Sequence, residues 1–268
     1  MGMSDKEMSF WDHLDELRSV LIKSVSIVII FMLGAFFCKN FLFNTIILAP
    51  TNSDFVLYRL FNTLTTSLGL GKIPDFDIDL INIEVAAQFF THVKVSLYVA
   101  IIVAMPFILY FLWGFVAPAL YKNEKRSVKV AIGFAGVLLY VGLIVGHLFA
   151  FPLTLRFLGT YQVSPDVANT LSLKSYISMF LSLIMIMGIV FELPALALLL
   201  SKFGIINREM LVNYRKHAIV VSLVAAALIT PSGDAITLLF VAIPIYFLYE
   251  ISVLVTKPAK KEEEDDID

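Results

Sequence analysis

Charge and cysteine are what this sequence has least of. Only 16% of its 268 residues are charged and 59% are hydrophobic, whereas soluble domains carry about 25% charge. That excludes a water-soluble globular protein, and it excludes a disordered chain, which needs low hydrophobicity. The single cysteine, Cys38, excludes an internal disulfide and leaves the redox compartment unmarked. It is expected to be a small buried hydrophobe. A net charge of −2 argues against nucleic acid as the main partner. That sum hides a split, because six of the 22 acids crowd into Glu262 to Asp268. There is no His-Glu-x-x-His, no phosphate-binding loop and no Gly-x-Ser-x-Gly. His92 and His147 each stand without a second ligand at metal spacing, so both are assigned packing or interface roles rather than zinc.

What the chain has is long apolar runs. Crossing ~30 Å of hydrocarbon takes about 20 helical residues. Val20–Cys38 carries only Lys23 near its start, and Val95–Tyr121 carries no charge. Val130–Leu155 holds His147 as its one titratable group short of tyrosine, and Ser175–Ser201 holds Glu192. The runs do not alternate, so helices rather than a barrel are expected. The last run, Ala218–Tyr249, is too long for one span and is broken by Pro231-Ser232-Gly233-Asp234. It is read as two short helices, Ala218–Ile229 and Ala235–Tyr249. This predicts an all-α integral membrane protein with six transmembrane helices, the last two short. Pro106, Pro118, Pro152 and Pro244 are expected to mark kinks or helix ends.

With the N-terminus inside, Lys39, Arg59, Lys72, Lys94, Arg156 and Lys174 lie outside, and the other fourteen Lys and Arg lie in the cytoplasm. The positive-inside rule therefore places both termini in the cytoplasm. The first run is span-length and lacks a small-residue cleavage site, so it does not read as a cleaved signal. One membrane domain, 1–268, is expected. It has an amphipathic N-terminal helix at 4–18, a long outer loop at 44–91 and a disordered acidic tail at 257–268. Within the loop, Phe55–Leu70 is expected to form a short surface helix, followed by the breaker Pro74-Asp75-Phe76-Asp77.

Few residues can carry chemistry. Ser4-x-x-Glu7 fits a capping box, and Met8, Trp11, Leu14, Leu17 and Leu21 form a helical stripe suited to the membrane surface. Asp12, Asp15 and Glu16 then face headgroups or cytosol, and composition alone reads them as a solvated acidic face. Glu124 lies among Lys122, Lys125 and Arg126 and on residues alone reads as a surface carboxylate. Glu192 differs. A carboxylate at that depth costs about 2.5–3.5 kcal/mol on insertion scales, so it must face protein or water, or be protonated. Pro194 beside it frees the carbonyl near residue 190. Together they read as a polar notch with a function, or as one internal hydrogen bond. Glu192 with Ser232-Gly233-Asp234 is an incomplete match to an intramembrane aspartyl protease, because position 231 is proline. A proton-coupled transporter with Glu192 as proton carrier is the other alternative.

Several motifs resemble one family in order. His13-Leu14-Asp15-Glu16-Leu17-Arg18 resembles the start of the TatC family, the core subunit of the twin-arginine protein translocase. Leu48-Ala49-Pro50 is similar to the start of that family's first outer loop. Phe115-Val116-Ala117-Pro118-Ala119-Leu120-Tyr121 with Glu124 and Arg126 resembles its first cytoplasmic loop. Phe191-Glu192-x-Pro194 resembles its fourth-helix motif, and Thr230-Pro231 with Asp234 and Ala242-Ile243-Pro244 its last hairpin. Val20 stands where the family often has a second basic residue, and one residue is inserted between Pro231 and Asp234. The resemblance implies a six-helix protein of the cytoplasmic (inner) membrane that recognises twin-arginine signal peptides on folded cargo. It implies assembly with the single-span subunits TatA and TatB and with further copies of itself in the lipid bilayer. Transport would be driven by the proton-motive force, with no cofactor and no enzymatic activity. It implies Glu16 and Glu124 as the twin-arginine contacts, with Arg18, Phe115 and Pro118 in the same site. Glu192 and Pro194 would line a concave membrane face and meet partner helices, and Thr230, Pro231 and Asp234 would form the outer hairpin.

Overall fold

The structure, a computed structural model, describes residues 10–69, 71, 78–119, 121–164, 166, 169–230 and 234–258. The Ser4–Glu7 box, the Pro74–Asp77 breaker, Pro231–Gly233 and residues 259–268 of the tail lie outside the described residues.

Helix α1, Phe10–Phe37, is continuous from the His13–Arg18 motif through the first apolar run. It stops at Cys38, whose N–H still reaches the carbonyls of Gly34 and Ala35. Cys38 is exposed, which corrects the expectation of burial. It sits on a helix packed chiefly against one neighbour, and lipid accepts an apolar thiol as readily as a core does. The chain continues through a short helix α2 (Lys39–Phe41), a π-helical turn (Leu42–Ile47) and a 3₁₀ turn (Ala49–Thr51). Helix α3, Val56–Ser67, is the surface helix expected from the sequence. It buries Leu57 and Tyr58 and exposes Val56, Leu60 and Leu64.

Helix α4, Ala87–Val116, returns antiparallel along α1, so Phe36 meets His92 and His13 meets Phe115. Pro106 lies inside it and has no N–H for the Ile102 carbonyl. The Tyr140 hydroxyl donates to that carbonyl instead, at 2.7 Å. After a 3₁₀ turn at Ala117–Ala119, helix α5 (Lys122–Val145) widens into a π turn, Gly146–Ala150, and continues as α6, Phe151–Thr160. Pro152 stands at the start of α6, where a missing N–H costs least. Helix α7, Leu173–Val190, is capped by Ser172, whose hydroxyl oxygen accepts the Ser175 N–H. It breaks at Phe191-Glu192 and resumes as α8, Leu193–Lys202. Helix α9 (Arg208–Asn213) leads to the hairpin of α10 (Arg215–Ile229) and α11 (Ala235–Val255).

Among the described residues, five stretches are long and apolar enough to cross a membrane: His13–Phe37, Ala87–Val116, Val128–Thr160, Leu173–Lys202 and Ala235–Val255. The sixth apolar helix, α10, has 15 residues and rises about 22 Å. Both hairpin arms are shorter than the 30-residue and 33-residue spans before them. The second arm runs to Val255, past the expected end at Tyr249. Because successive long helices are antiparallel, Phe10 and Lys257 lie at one end of the bundle, here the terminal end. Helix α3 lies at the opposite, loop end. There Leu80–Ile81 (β1) pairs in parallel with Leu171–Ser172 (β2), Leu80 opposite Leu171. The sequence reading did not expect this ladder.

The core centres on α7, whose Tyr176, Ile177, Leu183 and Met187 are fully buried among Val95, Phe151, Val241 and Leu248. Three glycines permit the approach of α5 to α7. A Cβ on Gly142 would stand 2.7 Å from both the Met187 carbonyl oxygen and the Phe191 Cβ. One on Gly146 would meet Met187 at 3.0 Å, and one on Gly188 would meet Leu143 at 3.0 Å. Gly142-x-x-x-Gly146 is thus a small-residue seam of the kind that lets membrane helices touch backbone to backbone.

Candidate functional site

At the terminal end, α1 and α4 enclose a groove of about 360 Å³ lined by Glu16, Ser19, Lys23, Trp113, Gly114 and Phe115, among others. Glu16, Ser19 and Lys23 recur at helical spacing on the α1 face that meets α4. Glu16 is half-buried there. The Phe115 ring is held by stacking on His13, centroids 4.3 Å apart and planes 19° from parallel. Tertiary packing therefore joins two of the sequence-predicted residues, Glu16 and Phe115, in one cleft. A carboxylate over an aromatic wall suits a guanidinium, which takes bidentate hydrogen bonds and stacks on rings. Lys23, about two helical turns deeper than Glu16, repels a cation and so favours binding at the mouth.

The remaining predicted contacts fall around this groove. Arg18 is exposed and outside the groove lining. Pro118 is exposed in the 3₁₀ turn that leaves α4. Glu124 belongs to the first turn of α5, two residues after its start at Lys122. A carboxylate at a helix N-terminus is favoured by the exposed N–H groups there. Eight residues separate Phe115 from Glu124 in sequence, so backbone continuity keeps Glu124 near the same end of the bundle.

Glu192 lies at the break between α7 and α8. The Phe191 N–H bonds to Met187 O, while the Glu192 N–H bonds to Ile189 O, a tightened turn. Pro194 follows, buried, in the first turn of α8. A helix interrupted at an acid is what the sequence led one to expect of Pro194, though the break falls before the proline rather than as a bend within one helix. The Glu192 side chain is half-buried, and no hydrogen bond or ion pair to it occurs among the described residues. The internal hydrogen bond considered as its alternative role is therefore not made among them. Gly142 packs on Phe191, so the α5–α7 seam fixes this break in space.

At the hairpin, Thr230 is buried and its hydroxyl donates to Ala226 O at 3.0 Å. Asp234 is the N-cap of α11. One of its carboxylate oxygens accepts the Thr237 N–H at 2.7 Å and the other accepts the Thr237 hydroxyl. Pro231 lies outside the described residues. Among the described residues, no three of His, Cys, Asp and Glu are grouped to hold a metal. His92 stacks on Phe36, and His147 lies edge-on to Phe55 and Phe180.

A family model for "Sec-independent protein translocase protein (TatC)" matches residues 12–244. The chain is 32% identical over 273 residues to the TatC of a Blattabacterium from Periplaneta americana, covering 98% of this chain and 100% of that one. It is 36% identical over 258 residues to the TatC of Helicobacter pylori J99, covering 95% and 92%. A crystal structure of the twin-arginine translocase receptor TatC in DDM superposes with a TM-score of 0.70 at 32% identity, covering 91% and 99%. The chain belongs to the TatC family.

As a TatC family member it is a multi-pass membrane component of a protein translocase, not a member of a catalytic family. Within this TatC fold the sequence motifs map to defined places: Glu16 of the His13–Arg18 motif and Phe115 to the two walls of the groove, Phe191–Pro194 to the helix break, Asp234 to a helix cap. Sequence reading missed the residues that hold these places. Gly142-x-x-x-Gly146 was visible as a small-residue pattern. At the loop end, Tyr58 was not distinguishable from other loop tyrosines. Its buried hydroxyl lies 3.2 Å from Pro50 O and 3.1 Å from Pro152 O, a donor shared between two carbonyls that ties α3 to α6. Burial raises its phenol above the ordinary tyrosine range, against the opposing pull of Arg156.

Proposed function

We propose that this chain is the signal-peptide receptor and core subunit of a twin-arginine translocase of the cytoplasmic (inner) membrane. It exports folded proteins at the expense of the proton-motive force, with both termini in the cytoplasm and α10–α11 as a short hairpin reaching the outer side. The observation that carries this reading is the α1–α4 groove, which pairs Glu16 with Phe115 at the terminal end. A peptide with adjacent arginines presents two planar, permanently charged forks. Glu16 takes one of them at the groove mouth, Glu124 takes the other from the first turn of α5, and Phe115 supplies a ring face. Pro118 and Arg18 flank the entrance. The apolar part of the peptide then follows α1 and α4 into the bilayer. Lysine offers no bidentate fork and is discriminated against. At the helix break, the Glu192 carboxyl, without a partner among the described residues, meets polar groups on the transmembrane helices of TatA- and TatB-like subunits.

Charge-assisted hydrogen bonds of this kind contribute about 1.5–3 kcal/mol each, so losing one weakens binding about tenfold to a hundredfold. Purified protein in detergent is titrated with a twin-arginine and a twin-lysine peptide at two salt concentrations. Glu16→Ala and Glu124→Ala each weaken the arginine peptide, more steeply at low salt, and scarcely change the already weak lysine peptide. Wild-type affinity in both variants would make these residues ordinary surface charges. Sidedness is tested by a cysteine at Ser232 in a Cys38→Ser background. A membrane-impermeant thiol reagent labels it from outside, and labelling from the cytoplasm alone overturns the crossing hairpin.

A further inference from the structure

Next to the Glu16 groove runs a second cleft, between α4 and α5, of about 560 Å³. Trp113 and Tyr110 border both clefts. The second differs in chemistry. Its walls are apolar, from Pro106 and Leu109 on one side and Val137, Val141 and Ile144 on the other, and among the described residues Lys129 is its one charged lining residue. We propose that this cleft is a binding site for an anionic phospholipid, with one acyl chain along the α5 glycines and the headgroup at Lys129.

Three observations carry the assignment. The first is depth. Lys129 is the second residue of the membrane-spanning stretch Val128–Thr160, and Trp113 is three residues from the end of Ala87–Val116. Both stand at headgroup level, where tryptophan and snorkelling lysine are favoured. The second is charge. Lys129 is exposed and makes no hydrogen bond or ion pair among the described residues. Lys125 and Arg126 precede it by four and three residues, on the same helix face. A basic patch opening between transmembrane helices suits a phosphate-bearing headgroup. A zwitterionic headgroup neutralises it less well, and an apolar partner helix leaves it uncompensated.

The third is shape. Lys129, Gly133, Gly136, Tyr140 and Ile144 form one stripe along α5, about 22 Å from first to last. That exceeds the ~15 Å half-thickness of the hydrocarbon core that one acyl chain fills. A Cβ on Gly133 would meet nothing within 4 Å, so the glycine leaves open space at the height of the first methylenes. Deeper, a Cβ on Gly136 would meet the Leu109 Cδ1 at 3.2 Å, where α5 comes up against α4. The floor needs no polar ligand, because the carbonyl freed by Pro106 already accepts the Tyr140 hydroxyl. Every demand for a charged partner is at the Lys129 end.

The test is native mass spectrometry of the full chain purified in detergent, with added phosphatidylglycerol or phosphatidylcholine of matched acyl chains. Wild type retains phosphatidylglycerol in preference to phosphatidylcholine. Lys129→Gln reduces retention of phosphatidylglycerol about fivefold, the worth of one surface cation against an anionic lipid, and leaves phosphatidylcholine unchanged. Gly133→Leu fills the cleft from open space without a backbone clash and reduces both lipids. Lys174→Gln, at the loop end, changes neither. Equal thermal melting of the variants excludes misfolding as the cause. Undiminished phosphatidylglycerol in both Lys129→Gln and Gly133→Leu overturns the proposal. So does a photocrosslinker at Val137 that captures a protein helix and no lipid in membranes. Neither result touches the Glu16 groove, so the receptor reading stands or falls separately.

Discussion

The spans Leu173–Lys202 and His13–Phe37 are equally apolar along the sequence, yet 44% of the apolar window of the first is buried inside the protein and 6% of the second. The first forms the centre of the bundle, with α4, α5 and α11 packed around it. The second leans on α4 and leaves most of its circumference uncovered. The difference lies in glycine and shape, not in hydropathy. Gly142, Gly146 and Gly188 meet at the α5–α7 seam, whereas Gly34 in α1 faces open space. Between lipid and protein there is no hydrophobic gradient, so close packing and backbone approach decide which helix becomes core. A helix without such a seam remains available to lipid or to partner helices.

The sharpest way to break this comparison is to place the same side chain in both regions. Gly142→Leu drives a Cβ to within 2.7 Å of a backbone oxygen, a clash that overpacking data put at about 1–3 kcal/mol or more. Thermal melting in detergent should fall sharply, and folded yield with it. Gly34→Leu should melt like wild type. Equal melting of the two would remove the seam as the organiser of the core.

A smaller effect on folding, with a larger one on function, is expected at the break that the seam supports. Glu192→Gln keeps the shape and hydrogen-bonding capacity of the carboxyl, while Glu192→Ala and Glu192→Leu remove it. Because no internal partner of Glu192 occurs among the described residues, all three should melt within a degree or two of wild type. Co-purification with single-span partner subunits, and export of a folded cargo, should survive in the Gln variant and drop in the other two. Equal function of all three would leave Glu192 a passive feature of the break.

The smallest expected effect is at the hairpin cap. Asp234→Ala removes the acceptor for the Thr237 N–H and hydroxyl and should cost about 1 kcal/mol, read as a small drop in melting temperature. Asp234→Asn keeps an acceptor and should recover most of it. A large loss of export in the Asn variant, with stability retained, would assign Asp234 a role beyond capping.

Much of the architecture was legible because a bilayer imposes length and polarity on each segment independently. The spans, the surface helix at 56–67, the short hairpin arms and the interruption near Glu192 all follow from runs, breakers and one misplaced charge. The start of α1 was legible as a helix, but its fusion with the first span at Arg18 was not, since both share one periodicity. Cys38 was misread because a thiol in an apolar run carries no mark of the face it occupies. The β1–β2 ladder was invisible, because two residues per strand leave no alternation to read. Its partners are brought together only by the adjacent starts of α4 and α7.

The candidate site divides in the same way. Sequence by itself singled out one acid, Glu192 within the fourth span, as out of place in so apolar a chain, while Glu16 and Glu124 read as surface charges until the family resemblance pointed to them. It also determined the family, through motifs in order. Tertiary structure alone decided that Glu16 shares a groove with Phe115, whose ring stacks on His13, that Lys23 lines the same groove, and that Lys129 opens onto a neighbouring cleft. Local patterns fix what each helix is made of. Which faces meet depends on antiparallel packing between segments distant in the chain, on glycines whose value exists only when another backbone arrives beside them, and on prolines whose freed carbonyls find a donor such as Tyr140 only in the folded bundle.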